Sequence, residues 1–163
     1  MKTAYRILYD QSKCTGCRMC EAICSFTRED EFNPVKARCK IIRSIKKGML
    51  TKVRVSCQQC SEPKCLEVCP RGAISQTETG VKFVDEKLCI GCRMCEMACP
   101  VGAISVNQEK GVSFKCDLCK DYDEPNCVKY CYTGAIRYMP EEKIAIALSR
   151  MKSEKYLENT KEV

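Results

Sequence analysis

The chain has 163 residues, 17 of them cysteine, with no histidine, no tryptophan and a formal net charge of +7. That length allows one domain or a tightly merged pair, and so much cysteine means either a disulfide scaffold or a metal protein. The opening MKTAYRILYDQSK has no apolar run suited to a signal peptide, and the longest apolar stretch, Ile144 to Leu148, cannot span a membrane; the expected compartment is the cytoplasm, where dense cysteine signals metal or redox chemistry.

Residues 2 to 9, KTAYRILY, are β-prone and predict an edge strand leading into motif I. Motif I is Cys14, Cys17, Cys20 and Cys24, spaced C-x2-C-x2-C-x3-C, with Gly16 permitting a tight turn and Ser25 after the last cysteine. A polar connection over 25–39 carries an Asn33-Pro34 turn signal. Two β-prone runs, Lys40 to Ile45 and Met49 to Val55, predict a hairpin turning at Lys46-Lys47-Gly48. Arg38 to Arg54 holds seven basic residues and no acid. It reads either as a solvated hairpin offsetting negative charge elsewhere or as a docking face for an acidic partner.

Motif II is Cys57, Cys60, Cys65 and Cys69, followed by Pro70. RGAISQ, a Thr79-Gly80 turn and VKFVD predict a short hairpin before motif III: Cys89, Cys92, Cys95 and Cys99, followed by Pro100. VGAISV and GVSFK repeat that hairpin before motif IV, which is Cys116, Cys119, Cys127 and Cys131 without a following proline. RGAI, VGAI and TGAI follow motifs II, III and IV at a period of about 30 residues, so these segments are related units. Beyond Pro140 and the acidic pair Glu141 and Glu142, Ile144, Leu148 and Met151 recur at helical spacing. They predict an amphipathic helix from Glu141 to about Leu157, packed on its own domain or docked on a partner, with a frayed ENTKEV end.

The spacing C-x2-C-x2-C-x3-C-P of motif III is the bacterial-ferredoxin run for cubane iron–sulfur clusters. Three cysteines of one loop suit three irons, and the fourth, beyond a short helical turn such as Arg93 to Ala98, points away. Proline after it enforces an extended backbone, and in two-cluster ferredoxins that cysteine ligates the other cluster. Zinc is the alternative. Motif IV alone resembles a zinc knuckle pair, but three cysteines within seven residues crowd a single ion, and there is no histidine. Cys39 lies outside any C-x2-C and reads as a small buried hydrophobe. Because a [4Fe–4S] core with four thiolates carries about −2, four clusters would bring the formal +7 to about −1. That weakens the case for nucleic acid.

The ordered cysteines of residues 1 to about 140 resemble the four-cluster electron-transfer subunits of the dimethyl sulfoxide reductase iron–sulfur type. Similar small proteins accompany CO dehydrogenases, tungsten aldehyde:ferredoxin oxidoreductases and some hydrogenases, and Glu31 to Arg38, EFNPVKAR, looks most like the soluble partners of the first two. The resemblance implies an α+β fold of two nested bacterial-ferredoxin-like units, with short hairpins and helical turns around four [4Fe–4S] clusters. Motif II pairs with III and motif I with IV, in keeping with Cys-Pro occurring only in II and III. Carried over, cluster 1 takes Cys14, Cys17, Cys20 and Cys131, and cluster 2 takes Cys24, Cys116, Cys119 and Cys127. Cluster 3 takes Cys57, Cys60, Cys65 and Cys99, and cluster 4 takes Cys69, Cys89, Cys92 and Cys95.

The expected organisation is a polyferredoxin domain over 1–139 and a helix and tail over 140–163. Within the first, the inner unit covers about 57–106, the outer unit about 1–30 and 107–139, and a basic hairpin insertion about 33–56. The expected function is a non-catalytic, anaerobic electron relay between a catalytic oxidoreductase subunit and a soluble ferredoxin or second redox enzyme. The first expected partner is a tungsten or molybdenum pterin enzyme, the second a CO dehydrogenase. Thiolate on every iron leaves no open coordination site, and no histidine serves as general base. A free-standing diffusible polyferredoxin and a zinc-stabilised interaction or nucleic-acid module are the alternatives.

Overall fold

The computed structural model describes residues 3–46 and 48–160, without the side chains of residues 46, 155 and 158–160. Lys2 of the expected first strand, Lys47 of the expected hairpin turn and the 161–163 end lie outside the described residues.

Strands and helices are short because the cysteine loops interrupt them. Eight strands form four two-stranded antiparallel ribbons among the described residues. β1 (Tyr5–Tyr9) pairs with β8 (Ile136–Pro140), which follows motif IV, so the two ends of the cysteine-bearing region close on each other. β2 (Cys39–Lys46) and β3 (Met49–Ser56) make the basic hairpin. β4 (Ile74–Gln76) with β5 (Lys82–Val84), and β6 (Ile104–Asn107) with β7 (Val112–Lys115), are the two repeated hairpins.

Each motif carries one helix between or around its last two cysteines. α1 (Met19–Glu29) is the long one, running through Cys24 because Ser25 does not stop it. α2 (Lys64–Glu67), α3 (Met94–Ala98) and α4 (Asn126–Lys129) are single turns, and α2 and α3 end just before Cys69-Pro70 and Cys99-Pro100. α1 packs on α4 and α2 on α3. The apolar core is correspondingly divided into small groups in which cysteines are the common members: Cys20, Cys24 and Cys127 with Ile41 and Ile136, Cys95 with Ile74 and Ile104, and Cys116 with Val81 and Leu118.

One polar tie joins α1 to the basic hairpin. Glu21 is fully buried, pairs with Arg18 at 2.7 Å and accepts the Ile41 N–H at 2.6 Å. Glu21→Ala strands that buried N–H while leaving the half-exposed Arg18 free to hydrate, so it should cost about 2 kcal/mol of stability. Glu21→Gln keeps an acceptor and should cost about half as much. Denaturant midpoints read the difference, and equal losses would show that the charge, not the acceptor, carries the tie.

α5 (Glu141–Thr160) packs on β1 and β8. An Arg6–Glu141 ion pair of 2.9 Å fixes its first turn, and Arg137 Nη2 contacts Met151 Sδ at 3.2 Å further along. The expected apolar stripe is only partly used. Ile144 and Met151 are half-buried, but Leu148 is 39% exposed and Ile146, off that face, 59%. The apolar residues spread round the helix rather than forming one buried face.

Candidate metal centres

The loops between the first two cysteines of each motif turn through left-handed backbone. Gly16 and Gly91 take it in motifs I and III, while Gln59, Leu118 and Cys119 take it in II and IV. Arg18 and Arg93, each preceding Met-Cys, are left-handed N-caps with φ 64°. For non-glycine residues this costs about 1 kcal/mol or more each. Their recurrence at the same motif position shows that the loops are held by what surrounds them.

The x-G-A-I repeat has a local purpose. The glycine N–H caps the fourth cysteine's carbonyl, from Gly72 to Cys69 and Gly102 to Cys99 at 3.2 Å and from Gly134 to Cys131 at 3.0 Å. The positive φ of that glycine then turns the next N–H back onto the same cysteine: Ala73 N–H to Cys69 Sγ at 3.2 Å, and Ala103 N–H to Cys99 Sγ at 3.3 Å. The isoleucine buries beneath. Other amides reach Cys14, Cys24, Cys57 and Cys89 from Gly16, Arg38, Gln59 and Ser113 at 3.3–3.4 Å. Amide donors favour thiolate over thiol.

Three cavities are lined by four motif cysteines each. The first has Cys24, Cys116, Cys119 and Cys127 around about 320 Å³ of atom-free space, part of it open to solvent. The second has Cys69, Cys89, Cys92 and Cys95 around a similar volume. The third has Cys57, Cys60, Cys65 and Cys99 around about 440 Å³. Each cavity therefore joins cysteines of two motifs. Around the remaining four, Cys20 and Cys131 share one packed group, and Thr15 Oγ1 meets the Tyr132 hydroxyl at 2.8 Å. The seventeen cysteines form no disulfide, and only Cys17 and Cys92 are exposed.

Burial pushes the Cys116 and Cys127 thiols up to about 12, against the pull of the Arg54 guanidinium. Burial also pushes on Cys89 and Cys131, but there the neighbouring amides, with the Ser113 and Thr133 hydroxyls, outweigh it and bring both below the usual thiol range. Cys39 is buried, as its place in the sequence predicts, in the apolar group of Cys20 and Cys24. It is 3% exposed, its Sγ lies 3.5 Å from the Cys20 carbonyl, and it lines the cavity of Cys24 and Cys127.

Sequence reasoning missed the buried cations. Among the described residues Arg54, Lys82 and Lys115 are buried, at 8%, 4% and 2% exposure, and no carboxylate pairs with them. Arg54 extends from β3 to Ser56 Oγ and to Cys127 Sγ at 3.6 Å, with its Nε unpartnered. In sequence it belongs to a basic hairpin that reads as either a solvated or a docking face, yet it faces inward. Lys115 Nζ reaches only carbonyls, those of Lys82 and of Cys116, and Lys82 Nζ reaches the Gln59 carbonyl at 3.4 Å. Strand alternation gives no hint of this, since a lysine between Val81 and Phe83 reads as outward. Arg28 and Arg38 line the same cavity as Arg54, each with an unpartnered Nε, and both pair with Asp117.

A buried cation without an anion is costly. An anionic group in the adjacent cysteine cavities removes that cost, and a thiolate-ligated [4Fe–4S] cluster is such a group. The residues therefore fit it. Zinc fits less well. Among the described residues no three cysteine, aspartate or glutamate side chains are arranged to hold a single metal ion, whereas a cubane needs only one thiolate on each iron.

Comparison with known proteins agrees with the chemistry. The family described as "4Fe-4S dicluster domain" matches residues 52–141. The sequence is 36% identical over 158 residues to the B subunit of the anaerobic dimethyl sulfoxide reductase of Escherichia coli (strain K12), covering 88% of this protein and 77% of that one. It is 34% identical over 143 residues to "Thiosulfate reductase electron transfer subunit PhsB" of Salmonella typhi, covering 82% and 74%. Among solved structures, it matches one subunit of "Active site complex BamBC of Benzoyl Coenzyme A reductase in complex with Benzoyl-CoA" with a TM-score of 0.51 and 25% identity, covering 99% of both.

Proposed function

Because this protein belongs to the 4Fe-4S dicluster domain family of ferredoxin-type electron-transfer subunits, we propose that it relays single electrons through four [4Fe–4S] clusters, between a catalytic oxidoreductase subunit and a soluble redox partner. The observation that carries this is the set of three cavities, each lined by four cysteines from two motifs and two of them bordered by buried cations. When bound, the clusters supply one-electron redox chemistry. The protein's own residues ligate, insulate and set charge.

The ligand sets are those the resemblance implies: Cys14, Cys17, Cys20 and Cys131; Cys24, Cys116, Cys119 and Cys127; Cys57, Cys60, Cys65 and Cys99; Cys69, Cys89, Cys92 and Cys95. The packing of α1 on α4 and of α2 on α3 supports two nested units, as does the β1–β8 ribbon closing the outer one. The exposed cysteines, Cys17 and Cys92, fall in the first and last sets, which suits electron exchange with partners at the two ends. The second set is buried throughout, which suits an insulated middle.

A molybdenum or tungsten pterin reductase is the first partner we infer, in keeping with relatives named as subunits of a dimethyl sulfoxide reductase and a thiosulfate reductase. A CO dehydrogenase is second. Among the described residues no helix is long and apolar enough to cross a membrane. Chemistry on a substrate belongs to the partner, and this protein acts without catalysing.

Purified anaerobically, the protein should be brown and carry about sixteen irons and sixteen sulfides per molecule. It should co-purify, through high salt, with a larger pterin-containing subunit. A colourless, zinc-loaded protein overturns the reading, and elution alone at every salt concentration favours a diffusible carrier instead.

A further inference from the structure

The buried cations are unevenly distributed. Arg54 faces the cavity of Cys24, Cys116, Cys119 and Cys127, and Lys82 and Lys115 face that of Cys57, Cys60, Cys65 and Cys99. The cavity of Cys69, Cys89, Cys92 and Cys95 has no buried cation on its wall. Its one basic residue, Arg71, is exposed. Nearby anions do not cancel it: Asp117 at the first cavity is shared by Arg28 and Arg38, leaving Arg54 uncompensated, while at the third Glu62 is exposed and Glu141, which acts on Lys82, is paired with Arg6.

Resting on the ligand sets proposed above, we propose that Arg54 and the pair Lys82 and Lys115 hold the sites of Cys24 and of Cys57 at higher reduction potential than the Cys92 site, so that electrons collect away from that exposed end. Adding an electron adds a negative charge, and a fixed cation in a poorly solvated wall favours the more negative state. Nothing else changes at these sites: four thiolates remain on the four irons, and the electron comes from a low-potential one-electron donor such as dithionite.

Amide hydrogen bonds act in the same direction at the Cys92 site, where Ala73 N–H reaches Cys69 at 3.2 Å, Ser113 N–H reaches Cys89 and the Ser113 hydroxyl lies 3.3 Å from Cys95. They do not reverse the order. The field of a full charge in a poorly solvated wall reaches further than that of an amide dipole, and amide donors also reach Cys24, Cys57 and Cys99 at the other two sites. Arg54 lies against Cys127 and its field extends to Cys116 and Cys20, so its main influence is on the second site with a smaller one on the first. A relay poised this way holds an electron away from the exposed Cys92 end until a partner draws it out.

The test is an anaerobic redox titration of the full, cluster-loaded protein with dithionite, followed by EPR, with iron counted on every sample. Cys92→Ser identifies which signal belongs to the terminal site, and the order of reduction is then read in the unsubstituted protein, with every ligand and cation in place. The Cys92-marked signal should be reduced after two others. Arg54→Gln should lower the reduction equilibrium of one signal other than the Cys92-marked one about tenfold, equal to about 59 mV for a one-electron couple. Lys115→Met should do the same to a different signal, and Arg54→Lys should restore most of the first shift. Reduction of the Cys92-marked signal first, or unmoved potentials in fully loaded variants, overturns the charge assignment alone. A shift confined to the Cys92-marked signal overturns the ligand sets, and this proposal with them.

Discussion

Replacing Cys99 with alanine should remove the cluster site of Cys57, Cys60 and Cys65 and spare that of Cys89, Cys92 and Cys95, although Cys99 belongs to the latter motif. α3 stops at Ala98 and leaves Cys99 extended, with φ −77° and ψ 113°. Pro100 prevents the helix from continuing, and Cys99 turns to the cavity that Cys57, Cys60 and Cys65 line, while Cys95 turns to the cavity of Cys69, Cys89 and Cys92. The Ala103 N–H at 3.3 Å then holds the Cys99 sulfur where it is. Iron content should fall by one cubane, about four atoms. The EPR signal lost should be the one lost in Cys60→Ala and different from the one lost in Cys92→Ala. Loss of the same signal in Cys99→Ala and Cys92→Ala would mean that each motif serves its own cluster.

Much of this arrangement is legible in the sequence because cysteine spacing and proline act locally. The helical turn expected over Arg93 to Ala98 appears as Met94–Ala98, and the two short hairpins and the basic one form where turn residues predict them. What spacing cannot convey is the environment across the fold. Lys82 looks solvent-facing from its neighbours Val81 and Phe83, yet its nitrogen lies against the Gln59 carbonyl, 23 residues away. Arg54 ends a run of basic residues that reads as a solvated face. It is buried because β3 carries it across to Cys127, 73 residues away in sequence. Cys39 carries no local signal either, and its place beside Cys24 arises from β2 crossing α1. Left-handed Arg18 and Arg93 could have been suspected only from their repetition as Cys-Arg-Met-Cys in motifs I and III.

Those two motifs also differ at one shared glycine, and the difference predicts the largest effect of a single methyl group in the protein. Gly16 and Gly91 occupy the same place in CTGC and CIGC, both with positive φ, at 76° and 65°. Either alanine substitution costs about 1–2 kcal/mol for left-handed backbone. A Cβ at Gly16 meets only the flexible stems of Arg43 and Lys52, at 3.3 Å, which can move aside. A Cβ at Gly91 would collide with the Gly111 carbonyl oxygen, closer than real Cβ atoms ever approach, in the turn between β6 and β7. The obstacle is backbone, so a rotamer change cannot relieve it. Either the hairpin tip or the Cys89–Cys92 loop must shift, adding about 1–3 kcal/mol of overpacking. The loop holds two of the four cysteines of its cavity, so the shift falls on the cluster site as well as on the fold. Gly91→Ala should therefore cost about 2–5 kcal/mol in all, a large fraction of a domain's usual ~5–15 kcal/mol, and shed the iron of the Cys89 site first. Gly16→Ala should keep its iron and lose about 1–2 kcal/mol. Thermal melts and iron counts on the two variants read the contrast, and equal losses would mean that the approach of Gly91 to Gly111 does not hold the loop in place.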